Sequence, residues 1–241
     1  MSGHSKWATT HRQKEASDKK KASVFTKLAR NIILAAREGK DPEANFKLRL
    51  AIDQARASNM PKDNIERAIA RGAGELGGDV IEEVLYEAFG PAGVGLLIEG
   101  TTDNRNRTVS DVKAVFNKMG GALGGANSVK WMFEQKGVIR VPADALAGKS
   151  EDQVALEIID FGADDVKSEE GGLTVLTTRE NLKNLENEIR QAGLSPDYAG
   201  LEWISKEKVE ISADDKAKLE EIIEALEDSD DISCVYSNAK N

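Results

Sequence analysis

The apolar residues of this 241-residue chain change their spacing once, and that change limits the folds open to it. From about Val24 to Gly72 they recur every three to four residues, the period of a helix packed on one face. Beyond about Val80 they gather in short β-rich runs broken by glycine, the texture of strands and turns. A chain ordered in this way divides into a helical module followed by α+β structure.

Within the helical part, Val24, Leu28, Ile32 and Ala35, with Phe25, Ala29 and Ala36 alongside, predict an amphipathic helix over 23–38, stopped at Gly39. Phe46, Leu48, Ala51, Ile52 and Ala55 predict a second helix after Asp41-Pro42, ending near Asn59. Pro61 opens a third, with Ile65, Ala68 and Ile69 on one face, running out at Gly72 and Gly74. Residues 1–21 lack apolar periodicity and are expected to form a mobile basic arm.

In the second part, residues 84–89 and 94–99 read as a hairpin through Gly90-Pro91-Ala92-Gly93. A helix over 108–119 and a strand over 128–134 follow. Strand 137–141, helix 151–161, strand 172–178 and helix 180–192 form a β-α-β-α order, with 165–168 a candidate edge strand. The last segments, extended over 201–211, helical over 214–226 and extended over 232–236, are too small to bury a core alone and are expected to return to the preceding unit.

Charge follows the same division. The chain carries a formal net charge of −9, yet residues 1–72 hold 16 Lys and Arg against 8 Asp and Glu, leaving 17 against 34 for the rest. A positive module on an acidic carrier suits a polyanionic partner, because only the local field reaches a phosphate through a short Debye length. Lysine and arginine on helical surfaces for solubility alone account for charge of this kind equally well. The acidic domains are in turn a candidate surface for a protein partner.

Signatures of catalysis are lacking. No Gly-x-Ser-x-Gly elbow occurs, both histidines lie in the arm, and the single cysteine, Cys234, has no histidine near it in sequence. Two histidines without a third ligand make no metal site, no Walker lysine follows the glycine pairs 120–121 and 124–125, and no cofactor is expected. Those glycine pairs suit tight turns. The start of the chain has no apolar signal core, and the lone cysteine fits a reducing compartment, so the cytoplasm is the expected location and a membrane is not a partner.

Several separated motifs give the chain a resemblance over essentially its full length. They include Gly3-His4-Ser5-Lys6-Trp7, Phe25-Thr26-Lys27-Leu28, Leu48-Arg49-Leu50-Ala51-Ile52 and the long run from Asn59-Met60-Pro61-Lys62 to Ala68-Ile69. Tyr86-Glu87, Gly90-Pro91, the stretch Thr102-Asp103-Asn104-Arg105-Asn106-Arg107-Thr108, Gly120-Gly121 and Trp131-Met132-Phe133 extend them. Together they resemble the YebC/PmpR family. Phe46 stands where relatives usually have proline, and Ala88 and Ala92 where they favour glycine. The resemblance implies an α+β protein: a helical domain over 1–75, an α+β domain over 76–134 with 205–241, and a second, over 135–204, inserted in it. Both are expected to be ferredoxin-like α/β sandwiches. It also implies a regulator that binds DNA, the alternative being a translational activator that binds RNA or the ribosome.

Cations of the first module are the candidate contacts with nucleic acid. Lys6, Arg12, Lys14, Lys19, Lys20 and Lys21 lie in or beside the arm, and Lys27, Arg30, Arg49, Lys62 and Arg67 on the helices, where exposure is expected. Arg37 and Arg71 add charge there. Trp7 and His11 offer rings to stack on bases, although the favoured reading of Trp7 is that it anchors the arm against the bundle. Arg105 and Arg107 are a candidate second anion contact at a strand-to-helix junction. The favoured alternative is that Asp103, Asn104 or Asn106 caps that helix while the arginines pair with acidic neighbours.

Overall fold

The computed structural model describes residues 18–146, 148–169 and 171–240, with side chains from Ala22 onward. These divide into two compact units, one spanning Gln135–Trp203 and the other the described residues within Ser2–Glu134 and Ile204–Asn241.

The larger unit begins with three helices, α1 (Asp18–Ala36), α2 (Phe46–Ala57) and α3 (Lys62–Gly72). Their apolar stripes meet in one core, in which Leu28, Ile32, Leu48 and Ala55 are fully buried and Ile65 and Ala68 nearly so. Helix α2 is started by Asn45, whose side-chain oxygen accepts from the Leu48 N–H while its amide bonds the carbonyls of Ala35 and Gly39. Phe46 occupies the first helical position and sets its ring under Arg49, 5.2 Å from the guanidinium carbon. Pro61 caps α3, its fixed φ suiting a helix entrance. Near its C-terminal end α3 comes against α1 at Gly72, where an added Cβ would collide with the Ile33 carbonyl oxygen and lie 2.7 Å from the Ala36 Cβ.

A four-stranded sheet follows in the same unit, with β1 (Glu82–Phe89), β2 (Gly95–Thr102), β3 (Ala122–Leu123) and β8 (Ile232–Ser237) ordered β3-β1-β2-β8. Helices α4 (Arg105–Met119) and α7 (Ala213–Glu227) cover it, and Leu96, Ile98, Phe116, Ile222 and Val235 form its core. The C-terminal segment thus supplies both a covering helix and the edge strand that pairs with β2. In the β1–β2 turn, Ala92 sits at φ 54°, ψ 21°, a left-handed conformation that explains why glycine is the easier residue there. Ala88 is fully buried in β1.

Residues 128–134, which alternation marks as a strand, do not enter a ladder until Phe133. The buried Glu87 carboxylate accepts the N–H groups of Asn127, Val129 and Lys130 at 2.7 to 2.8 Å, so those donors are spent and Lys130–Met132 turns as a short 3-10 helix. Burial pushes the Glu87 carboxyl up, and the three N–H groups outweigh it and hold it below the usual carboxylate value. Gly120 and Gly121, at φ 94° and 97°, make the reversal that leads into β3.

The smaller unit is built on β4 (Phe133–Pro142), α5 (Glu151–Asp160), β5 (Asp165–Glu169), β6 (Gly172–Thr177), α6 (Leu182–Gln191) and β7 (Tyr198–Ser205). The strand order β5-β6-β4-β7 with this β-α-β-β-α-β succession is the ferredoxin-like arrangement. A capping box at Ser150 and Gln153 starts α5, and Val154, Ile158, Leu185 and Ile189 pack fully buried against the sheet. Arg140 is held between the Glu202 carboxylate, 2.8 Å away, and the Tyr198 ring.

Because two backbones touch at Gly72, the methyl group of Gly72→Ala must part α1 from α3. Urea unfolding should show a loss of about 1–3 kcal/mol. An unchanged midpoint would mean that the helices do not cross there.

Candidate nucleic-acid interface

Of the cations expected to face a phosphate, Lys6, Arg12 and Lys14, with Trp7 and His11, lie outside the described residues, as do the side chains of Lys19, Lys20 and Lys21. The helical cations fall into two groups. Lys27 and Arg30 correct the expectation of exposure: Lys27 is 4% accessible, and the Arg30 side chain 15%. Both turn toward the segment 227–231 that joins α7 to β8. The Lys27 ammonium donates to the Glu227 carbonyl, and Ser23 Oγ donates to Asp230 Oδ1 at 2.6 Å. Burial lowers the Lys27 pKa, and Glu227, Asp230 and Asp228 offset this only in part.

Asp231 is the centre of this contact. Its Oδ1 accepts from Arg30 Nη1 at 2.6 Å, and its Oδ2 from Arg107 Nη2 at 2.8 Å. The Thr108 and Thr102 hydroxyls lie 2.7 and 3.2 Å from Oδ2. Arg30 also donates to the carbonyls of Thr101 and Asp230, both at 2.9 Å. Burial would raise the Asp231 pKa, but the hydrogen bonds from Arg107, Thr108 and Arg30 prevail and hold it below the usual aspartate value. The same bonds to Asp231 and Asp103 raise the Arg107 pKa. One carboxylate therefore joins a helix of the bundle, the N-terminus of α4 and the turn into β8.

Within the stretch 102–108, Thr102, Arg107 and Thr108 serve this contact, and other residues are engaged nearby. Asn104 caps α4 by accepting from the Arg107 N–H at 3.1 Å. Arg105 pairs with Glu82 at 2.5 Å, and Arg107 with Asp103 and Asp231. The capping alternative describes the junction, and both arginines raised as a second anion contact already hold internal carboxylates.

The remaining helical cations look outward. Arg37 and Arg67 are exposed and form no ion pair among the described residues; Lys62 is exposed with Glu66 3.4 Å away, and Arg49 is half-buried over Phe46. Arg37 lies in the turn that follows α1, four positions after Ile33. On α3, Asn64, Arg67, Ala68 and Arg71 share a face. Away from their crossing at Gly72, the two helices leave a groove of about 270 Å³. Its floor is Phe25, Ala29, Ile33, Met60 and Ala68; its rim is Thr26, Asn64, Arg67 and Arg71, with no carboxylate in the lining.

One feature stands outside the sequence-based site. Trp131 is 64% exposed on the turn that Glu87 organises, its indole N–H donating to the Ser128 carbonyl. Only the proximity of Tyr86-Glu87 and Trp131-Met132-Phe133 within one fold connects them, and nothing in their spacing does. Among the described residues no group of three or more His, Cys, Asp and Glu side chains is placed to hold a metal, and no helix is long and apolar enough to cross a membrane.

A three-helix bundle and a helix-covered sheet in one unit, interrupted in sequence by a second, ferredoxin-like unit, define the class of protein. Residues 5–75 match the family model described as the TACO1/YebC protein N-terminal domain, and residues 81–239 the model for the TACO1/YebC second and third domain. The chain belongs to the TACO1/YebC family. It is 44% identical to a probable transcriptional regulatory protein of Caldanaerobacter subterraneus subsp. tengcongensis, covering 100% of this chain and 98% of the relative. A protein of Chlorobaculum tepidum with the same description is 47% identical over 99% and 94% of the two chains. The crystal structure of a conserved hypothetical protein from Aquifex aeolicus superposes with a TM-score of 0.88 at 40% identity, covering 98% of this chain and 97% of that one.

Since the folded Asp231 pKa lies below its unfolded value of about 3.9, its stabilisation is complete above that value and is lost as pH falls through the folded one. Asp231→Asn should cost about 3 kcal/mol at pH 7 by urea unfolding, as for one partner removed from a buried pair. The gap to the unsubstituted protein should narrow as the pH drops below about 4. A gap independent of pH would show that the charge of Asp231 is not what holds the contact.

Proposed function

We propose that this chain is a non-enzymatic regulator that binds DNA through the exposed cations of its helical module and acts on transcription in the cytoplasm. The observation that carries this reading is the face between α1 and α3 rimmed by Arg67 and Arg71, where Arg67 stands exposed without a carboxylate partner among the described residues, as does Arg37 just past the end of α1. Cations left unpaired can neutralise phosphates and release condensed counterions, which is the main source of affinity for a nucleic acid. The description of its relatives as probable transcriptional regulatory proteins agrees with this role. Lys27 and Arg30 are spent on the 227–231 turn and belong to the scaffold in this reading, while the basic arm, Lys62 and Arg49 add to the field. The acidic domains are the surface for a protein partner.

A second reading, an RNA or ribosome partner in translation, is favoured by one feature. The cations border a recess with an apolar floor, and a recess suits an unstacked base better than the edge of a paired one.

Titrating promoter DNA and ribosomes at several salt concentrations separates the two. Reversing Arg37, Lys62 and Arg67 to Glu should weaken binding at least tenfold, on the order of what removing several phosphate-binding cations causes, and lower the salt slope by about 1 for each phosphate no longer neutralised. Reversing Lys27 and Arg30 should destabilise the fold instead. Salt-independent binding, or no binding to either partner, would sink the reading; saturable ribosome binding beside weak, sequence-independent DNA binding would move it to translation.

A further inference from the structure

The groove between α1 and α3 has chemistry that the charge of the module does not explain. A face that only attracts phosphate has no use for an apolar floor, yet Phe25, Ala29, Ile33, Met60 and Ala68 line one. Its volume of about 270 Å³ is below that of a drug-sized pocket, and its scale is that of a single flat ring system. Two polar groups at its rim are unused by the protein: the Asn64 amide and the Arg67 guanidinium make no side-chain hydrogen bond or ion pair among the described residues. Arg71 spends one donor on the Asp79 carbonyl at 3.1 Å and keeps the others. The Thr26 hydroxyl gives its proton to the Ala22 carbonyl at 3.0 Å, which leaves its oxygen an acceptor.

We propose that this groove takes one unstacked base of a single-stranded RNA, with the ring on the Phe25 floor and the flanking phosphates on Arg67 and Arg71. The amide of Asn64 offers both a donor and an acceptor to a base edge, and the Thr26 oxygen suits a ribose 2′-hydroxyl donor, which DNA lacks. The lining contains cations and no carboxylate, so it favours an anionic chain over a cationic one. A duplex would first have to flip a base out of its stack, whereas a single strand presents one freely. This inference rests on the second, RNA reading above rather than on the DNA reading, and narrows it to a ligand form.

The full chain is titrated with a short single-stranded RNA carrying one 2-aminopurine, with single-stranded DNA of the same sequence, and with duplex DNA. With the unsubstituted protein, 2-aminopurine emission should rise on RNA binding as the base leaves its stack. Ala29→Phe fills the groove, and should abolish that rise and weaken RNA binding about tenfold, within the range of a lost base–aromatic stack. Its effect on duplex binding should be less than about twofold, in line with phosphate contacts being untouched. Asn64→Ala, at a site that packs nothing in the core, should weaken RNA binding severalfold whether or not Ala29→Phe folds. If both variants bind RNA as the unsubstituted protein does, with the same emission, the groove assignment is wrong while the nucleic-acid reading stands. Equal loss for single-stranded DNA overturns the choice of RNA. No binding of any of the three probes at low salt removes the nucleic-acid reading and this inference together.

Discussion

Asp231 presents one carboxylate to two guanidinium groups and two threonine hydroxyls that come from three separate parts of the larger unit. A charge this little exposed costs several kcal/mol to desolvate, and its burial is tolerable because guanidinium donors and a threonine hydroxyl meet both carboxylate oxygens. The cost and the compensation are therefore both large, and they are concentrated at one residue. Arg30 reaches it from the bundle, Arg107 from the start of α4, and Asp231 itself precedes β8, the strand that pairs with β2. The position of the bundle on the sheet is thus tied to the return of the C-terminal segment. Ile81, nearly buried, adds an apolar tie by joining the bundle core just before β1.

Much of this organisation is legible from periodicity. The stripe Val24, Leu28, Ile32 marks α1, and the shift to short β-rich runs marks the sheets, because burial on one face imposes those spacings on any sequence. The ferredoxin-like succession of the smaller unit is readable for the same reason. Periodicity says nothing, however, about what covers the polar side of a helix. Lys27 and Arg30 lie off the apolar stripe, so a reading of α1 alone puts them in water. Their partners Glu227 and Asp231 are some 200 positions away in the chain, as the separations of these contacts show. A hydrogen-bonded polar surface leaves no apolar signature in either segment.

The strand expected over 128–134 shows a different limit. Val129, Trp131 and Phe133 alternate in sequence as a strand would, and Val129 and Phe133 are buried, but Trp131 is exposed. The backbone does not pair as a strand, since Glu87 claims the N–H groups at 127, 129 and 130 before a neighbouring strand can. A side-chain carboxylate competing for main-chain donors overrides propensity, and no window of local sequence contains both parties. The candidate interface is legible in the same uneven way. Arg67 and Lys62 are exposed as their positions on α3 suggest, but the apolar groove beside Arg67 belongs to two helices at once and becomes visible only when they are packed.

The crossing at Gly72 has a consequence for that groove. Where two helices touch through their backbones, with the Ile33 carbonyl against the glycine, neither can approach closer and neither can retreat without opening a void. The crossing behaves as a fixed fulcrum, and the width of the mouth is then a matter of helix direction alone. Differences in depth or shape between related chains have to be written in side-chain volume at places such as Ala29 and Ala68, one methyl group at a time. A recess built this way changes its preference for an occupant by small substitutions while the framework around it stays still.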